Sequence, residues 1–309
     1  MERLDGAVAA PAHLRGGIVA LGNFDGFHRG HQAVVGRAIE RARAEGRPAI
    51  VATFDPHPMR FFRPDTAPFR LTTLDQRQHL FAQAGADAML VFGFDAALAS
   101  LPARAFAQQR LVELIGAGGV VTGADFTFGK GRDGDVAILR ALGEELGFSV
   151  DTIAPVAESG DMISSSLIRE ALQAGKPRKA AALLTRPFAI EGVVEPGAKL
   201  GRELGYPTAN LGLGNYLRPR YGIYAVRGHL PDGRVLDGAA NLGIRPSFDP
   251  PVELLEPYFF DFSGDLYGQT IEVELIEFIR DEAKFDSLEA LKAQIAADCE
   301  AAKAALRIS

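Results

Sequence analysis

A chain of 309 residues, 47% hydrophobic and 23% charged, exceeds one ordinary core and has a globular composition. Its net charge of −6 offers no basic footprint for duplex nucleic acid, and its single cysteine, Cys299, excludes an intramolecular disulfide or a thiolate metal cluster. No apolar run reaches the roughly 18 residues of a membrane-spanning helix, and the opening MERLDGAVAAPAHLRGG lacks a secretory pattern, so a cytoplasmic enzyme is expected.

Short apolar runs and helical periods alternate up to about residue 184. Strands are expected over Gly17–Leu21, Ala49–Phe54, Ala88–Phe92, Gly119–Thr122 and Phe148–Ile153. Helices are expected over Gln32–Glu45, Leu74–Ala84, Ala103–Ile115 and Asp135–Leu146. This alternation implies an α/β doubly wound parallel sheet of Rossmann-like type, with ligands at the carboxyl ends of its strands. That rim would hold 22–31, 55–58 and 123–135. Beyond a helical stretch interrupted at Gly175-Lys176-Pro177, strand runs follow one another over Phe188–Val194, Gly222–Arg227, Leu236–Leu242, Leu254–Phe262 and Thr270–Ile279. Gly and Pro punctuate them as in a small antiparallel barrel. Only Ser287–Leu306 returns to a helical period, with Leu288, Leu291, Ile295 and Ala296 on one stripe and Cys299 as a small apolar residue. These changes divide the chain into domains 1–184 and 185–309.

The stretch GNFDGFHRGH runs from the first apolar strand into a helix. A glycine turn entering a helix presents backbone N–H groups and a positive dipole end, which suits phosphate. Two imidazoles there, His28 and His31, can donate to oxygens that gain charge during displacement at phosphorus. A capped helix with two surface histidines is the plainer alternative; the strand before, the helix after and the rim position favour chemistry. Ser164, Ser165 and Ser166 with Arg169 form a second phosphate grip at another helix start, although one serine would suffice as a cap. TFDPHP and GADFTFGKGRDGD follow other strands. There Phe126 and Phe128 suit a pocket for a flat ring, and Lys130 and Arg132 lie on a glycine-rich loop.

GNFDGFHRGHQ, TFDPHP, GADFTFGKGRDGD and ISSSLIR closely resemble the adenylyltransferase module of the bacterial bifunctional riboflavin kinase/FMN adenylyltransferase (prokaryotic FAD synthetase) family. Its nucleotidylyltransferase hallmarks are an HxGH pair and an ISSTxxR segment; Ser166 stands here for the commoner threonine and keeps the hydroxyl. The resemblance implies ATP binding and catalysis by His28 and His31. It implies further ATP contacts from Gly22, Asn23, Phe24, Asp125, Ser164, Ser165 and Arg169, and flavin contacts from Asp55, Pro56, His57, Phe126 and Phe128.

In the second half, GAKLGRELGYPTANL carries Gly197, Lys199 and Arg202 on a loop rich in glycine that could close over phosphates. Thr208 and Asn210, two apart on an extended segment, offer hard oxygens suited to Mg²⁺, with a polar hairpin edge as the plain alternative. GRELGYPTANL, DFSGDLYG and RDEAKFDSLEALKAQIAAD resemble the flavokinase end of the same family, so the likeness spans nearly the whole chain. It implies a six-stranded antiparallel flavokinase-like barrel with a terminal helix, in which Gly197, Lys199, Arg202, Thr208 and Asn210 bind MgATP. It also implies Glu256 as general base, Tyr258 replacing the family's histidine, with Glu253 the nearby competitor and Asn241 and Arg245 on the flavin side. The expected chemistry is phosphorylation of riboflavin by ATP to FMN, then Mg²⁺-dependent adenylylation of FMN to FAD and pyrophosphate. Small molecules are the expected partners, with neither nucleic acid nor membrane, and self-association left open.

Overall fold

The computed structural model describes residues 1–158, 161–196, 204–245 and 252–307. Two compact units divide the chain: Met1–Thr66 with Leu74–Ser164, and Ala67–Thr73 with Ser165–Ser309.

The first unit is built on a six-stranded parallel sheet of order β1-β4-β3-β2-β5-β6. Its strands are β1 (Glu2–Asp5), β2 (Ile18–Leu21), β3 (Ala49–Asp55), β4 (Ala88–Gly93), β5 (Gly119–Gly123) and β6 (Ser149–Ile153). Every residue of β2 is buried, as a central parallel strand covered on both faces requires. Alternation splits them: Val19 and Leu21 join one core cluster, Ile18 and Ala20 the other. Helix α1 (Arg29–Glu45) supplies Val34, Val35, Ala38, Ile39 and Ala42 to the second cluster and ends on Gly46, whose φ of 64° gives a left-handed cap. The expected doubly wound sheet is therefore present, with β1 added at its edge. ERLD gives β1 little apolar signal because three of its four residues are exposed.

Four other elements complete the loops: α2 (Pro58–Phe62), α3 (Leu74–Ala84), α4 (Ala96–Ala99) and a 3₁₀ turn at Lys130–Arg132. The expected Ala103–Ile115 helix is one α-turn, α5 (Ala103–Phe106), running into a π-helical stretch, Ala107–Ile115. Helix α6 (Val136–Leu146) is capped by Asp135, whose carboxylate accepts from the Ile138 N–H at 2.9 Å. A short antiparallel pair, β7 (Ala157–Glu158) and β8 (Asp161–Met162), precedes Ser164.

In the second unit, α7 (Ser165–Gln173) and α8 (Pro177–Leu184) flank the glycine-containing break, and α8 packs on β9 (Phe188–Glu195) and β14 (Thr270–Arg280). A closed barrel of order β10-β13-β12-β11-β14-β9 adds β10 (Asn210–Gly212), β11 (Gly222–His229), β12 (Val235–Arg245) and β13 (Val252–Phe259). β10 is the strand that periodicity misses: three residues cannot show alternation. Segment Ala67–Thr73 also belongs here. The Arg70 N–H donates to the Asn215 carbonyl at 3.1 Å, and the Leu217 N–H donates to the Arg70 carbonyl at 2.8 Å.

The terminal helix α9 (Leu288–Leu306) begins after Ser287, whose hydroxyl accepts from the Ala290 N–H at 3.1 Å. Its packed face keeps the phase of the expected stripe: Ile295 packs with Cys299, Ala302 and Leu306 against Ala225, Ala239 and Ile276, while Leu288, 50% exposed, and Ala296 fall outside it. Asp298 is buried beside this face, paired with Arg280 at 2.6 and 2.8 Å.

Candidate functional sites

The turn Leu21–His28 joins β2 to α1. Phe24 and Phe27 both take positive φ, 51° and 44°, and both rings meet the buried Phe81 edge-on. Such backbone conformations persist only where packing over-determines them. The Asn23 carbonyl accepts from the Thr53 hydroxyl at 2.8 Å and from Arg77 at 3.1 Å, with Arg77 also donating to Thr53 at 2.9 Å. Arg77 is 3% exposed and lies 4.0 Å from the Asp55 carboxylate. Sequence reading missed this brace; its one signal is an arginine at a core phase of α3. The Asn23 Oδ1 is buried and finds no hydrogen-bond partner among the described residues.

The helix starts at Arg29, three residues before the expected point, because His28 is its cap. His28 is 5% exposed and its Nδ1 accepts from the His31 N–H at 3.4 Å. With Nδ1 an acceptor, the neutral ring carries its proton on Nε2, the atom able to donate to an anionic oxygen. The two imidazoles stack with centroids 3.6 Å apart and planes 19° from parallel, and Phe24 buttresses His31 edge-on at 5.3 Å. Gly30 serves this pair: a Cβ there would stand 3.1 Å from the His28 ring and 3.8 Å from the Ile163 carbonyl oxygen. Ile163 immediately precedes Ser164, so that serine's segment returns beside the histidine turn. Gly30→Ala should lower the turnover of this unit about tenfold, since displacing a stacked ring by tenths of an ångström misaligns it; a stopped assay at saturating substrates would show this.

At the end of β3, His57 caps α2 by accepting from the Met59 N–H at 3.1 Å, after a cis Asp55–Pro56 bond. An aromatic wall lies alongside. Phe54 stacks on Phe92 at 5.6 Å, Phe92 meets Phe106, and Phe106 meets Phe128. Phe126 lies 12° from parallel to Phe128 at 5.7 Å. The structure thus links Phe126 and Phe128 to the strand that delivers Asp55, Pro56 and His57. Asp125 is exposed at the end of β5, its carboxylate folded toward Gly123. Ser165 and Arg169 lie on α7 in the second unit; there Arg169 donates to the Phe69 carbonyl at 2.8 Å and stacks over its ring at 5.2 Å.

The barrel unit carries a cavity of about 420 Å³ between the outer face of β12 and β13 and helix α9. Thr208, Asn241, Arg245 and Glu256 line it beside Leu291, Ile295 and Cys299. Thr208 also borders a smaller cavity of about 220 Å³ walled by Phe259, Phe262 and Tyr267. Asn210 is buried at the head of β10, opposite Glu195. Gly197, Lys199 and Arg202 lie outside the described residues. Glu256 faces the cavity, whereas Glu253 accepts from Arg218 at 2.7 Å and from the Tyr221 hydroxyl. The Arg218 guanidinium holds the Glu253 carboxyl below the usual range, and burial, with Glu253 adjacent, pushes the Tyr221 phenol up to about 12. Sequence reading missed Glu282, Arg280 and Asp298 on the cavity wall: Arg280 ends β14, Glu282 follows it, and Asp298 lies on α9.

A histidine-bearing strand–helix corner at the rim of a parallel sheet, with a barrel that pairs two adjoining cavities, is the arrangement of a two-unit nucleotide-dependent transferase. Residues 10–167 match the family model for FAD synthetase, and 184–306 match that for riboflavin kinase. The chain is 40% identical over 287 residues to the bifunctional riboflavin kinase/FMN adenylyltransferase of Escherichia coli (strain K12), covering 93% of this chain and 92% of that protein. It is 42% identical over 295 residues to the enzyme of the same name from Pseudomonas fluorescens, covering 95% and 94%. A crystal structure described as a macrolide-efflux protein from Streptococcus pneumoniae superposes with a TM-score of 0.87 at 30% identity, covering 98% and 99% of the two chains. That description belongs to that protein. This chain belongs to the bifunctional riboflavin kinase/FMN adenylyltransferase family.

Proposed function

We propose that the chain makes FAD in two ATP-dependent steps, with a functional boundary near residue 184. In the barrel the ribityl 5′-hydroxyl of riboflavin attacks the γ-phosphorus of ATP; the new O–P bond forms as the bridge to ADP breaks, and Glu256 takes the hydroxyl proton. In the α/β unit a phosphate oxygen of FMN attacks the α-phosphorus of a second ATP, and pyrophosphate leaves. His28 and His31 hold the phosphate oxygens there and meet their growing charge with N–H donors. Gly22, Asn23, Phe24, Asp125, Ser164, Ser165 and Arg169 bind that ATP. Asp55, Pro56, His57, Phe126 and Phe128 receive the flavin.

The observation that carries the adenylyl step is the stacked pair, in which Nδ1 of the buried His28 is spent on the helix cap and Nε2 is left as the proton-bearing atom. For the kinase step, Thr208 lies where the two cavities meet. Gly197, Lys199 and Arg202 complete its ATP site. The Thr208 hydroxyl and the Asn210 amide oxygen are hard donors of the kind Mg²⁺ accepts while it shares substrate phosphates, so they would hold the ion. When bound, Mg²⁺ neutralises charge on the phosphates. The composition and the sequence motifs favour small-molecule partners and a cytoplasmic setting.

Purified protein given riboflavin, ATP and Mg²⁺ should accumulate FMN and then FAD, resolved by chromatography. FMN without FAD would remove the adenylyl step, and no ATP consumption would leave a flavin-binding protein.

A further inference from the structure

The Glu256 carboxylate is held, and the residues that hold it, expected from the sequence only on the flavin side, have no part in the proton transfer described above. β12 and β13 set Asn241 directly opposite Glu256, and Gly243 and Arg245 follow Asn241 on the same face of β12. Arg245 Nη2 donates to Glu256 Oε2. With its amide oxygen turned toward the guanidinium, Asn241 accepts from Arg245 Nη1 at 3.0 Å and also from Nη2. Nη1 lies 3.9 Å from the Glu282 carboxylate, whose place exists because Gly243 is bare: a Cβ there would run into it.

We propose that Arg245 is a positioning residue for the kinase step, pinning Oε2 of Glu256 so that Oε1 faces the incoming ribityl hydroxyl. The proposal rests on Glu256 as the general base. A guanidinium is the right group, because its planar fork can take a carboxylate on one edge and be braced by an amide on the other, which an ammonium cannot reproduce. The neighbouring charges do not substitute for it. Arg280 is committed to Asp298 through two hydrogen bonds and to the Asp281 carbonyl at 2.8 Å, and Gln294 adds a bond to Asp298 at 2.9 Å. Cys299, Tyr206 and Thr208 complete the polar wall among the described residues. Without Arg245, Glu256 and Glu282 would face one cavity with no cation between them. Because phosphoryl transfer gains mainly from positioning and electrostatics, a carboxylate free to rotate should cost turnover rather than affinity.

The test uses the full-length chain with FMN formation and FAD formation measured separately. Arg245→Ala should lower kcat for FMN formation about ten- to a hundredfold with riboflavin KM within about threefold, while FAD formation from supplied FMN is unchanged. Ethylguanidinium added to Arg245→Ala should restore part of the lost turnover, and Arg245→Lys should fall between the two. Arg245→Ala combined with Glu256→Gln should be no slower than Glu256→Gln alone, as expected when one group acts through the other. Unchanged kcat in Arg245→Ala, a loss confined to KM, or losses that multiply in the double variant would each overturn the proposal. If Arg245→Ala loses both activities through misfolding, Arg245→Lys decides by the same kcat criterion. Wild-type turnover in Glu256→Gln would instead remove the base assignment, an outcome distinct from failure of the positioning role.

Discussion

His28→Ala should reduce FAD formation from FMN and ATP by about a hundred- to a thousandfold, the cost of removing one charge-stabilising donor, and leave FMN formation from riboflavin near wild type. The ring does two things. In the proposed mechanism its Nε2 is the donor, while in the structure its Nδ1 caps α1 and its face packs on His31. Alanine removes both, and a lost cap costs about 1 kcal/mol of stability. His28→Asn separates them, since an amide oxygen can still cap the helix. The asparagine variant should recover thermal stability without recovering FAD formation. Steady-state assays of each step with a melting curve for each variant check this. Loss of FMN formation in a well-folded variant would show that the two chemistries are not independent.

Glu256→Gln should cut FMN formation about a hundred- to ten-thousandfold, the range for loss of a general base, while FAD formation from supplied FMN continues. Glutamine keeps the size and can still accept a hydrogen bond from Arg245, so the cavity wall stays intact. What it lacks is a site for the hydroxyl proton. Glu253→Gln is the informative companion. Its carboxylate is occupied by Arg218 and Tyr221, so the variant should lose stability and retain most of its kinase turnover. If Glu253→Gln silences the kinase and Glu256→Gln does not, the base has been assigned to the wrong carboxylate.

The sheet was legible because β2 to β5 are short, apolar and separated by amphipathic helices. The rim followed from topology, and with it the histidine corner. The barrel was less legible. Five of its six strands show as strand-like runs, but β10 is three residues long and follows a stretch of sequence rich in glycine that reads as coil. The phase of helix α9 was legible, but not the burial of Asp298, which an ion pair with Arg280 makes possible. The sites divide in the same way. His28 and His31 announce themselves by flanking Gly30, and the serines by standing three in a row. Arg77 pairs with Asn23, 54 residues away, and Arg245 with Glu256, 11 away, and local spacing carries no trace of such pairing.

Residues Ala67–Thr73 come from the first part of the chain yet hydrogen-bond with the barrel unit through Asn215 and Leu217. The polypeptide therefore passes between its two units at 66/67, 73/74 and 164/165. Severing it once after Ser164 would leave the piece that completes the barrel unit tethered to the wrong fragment. Cutting the two units apart would therefore require moving Ala67–Thr73 as well as breaking the chain.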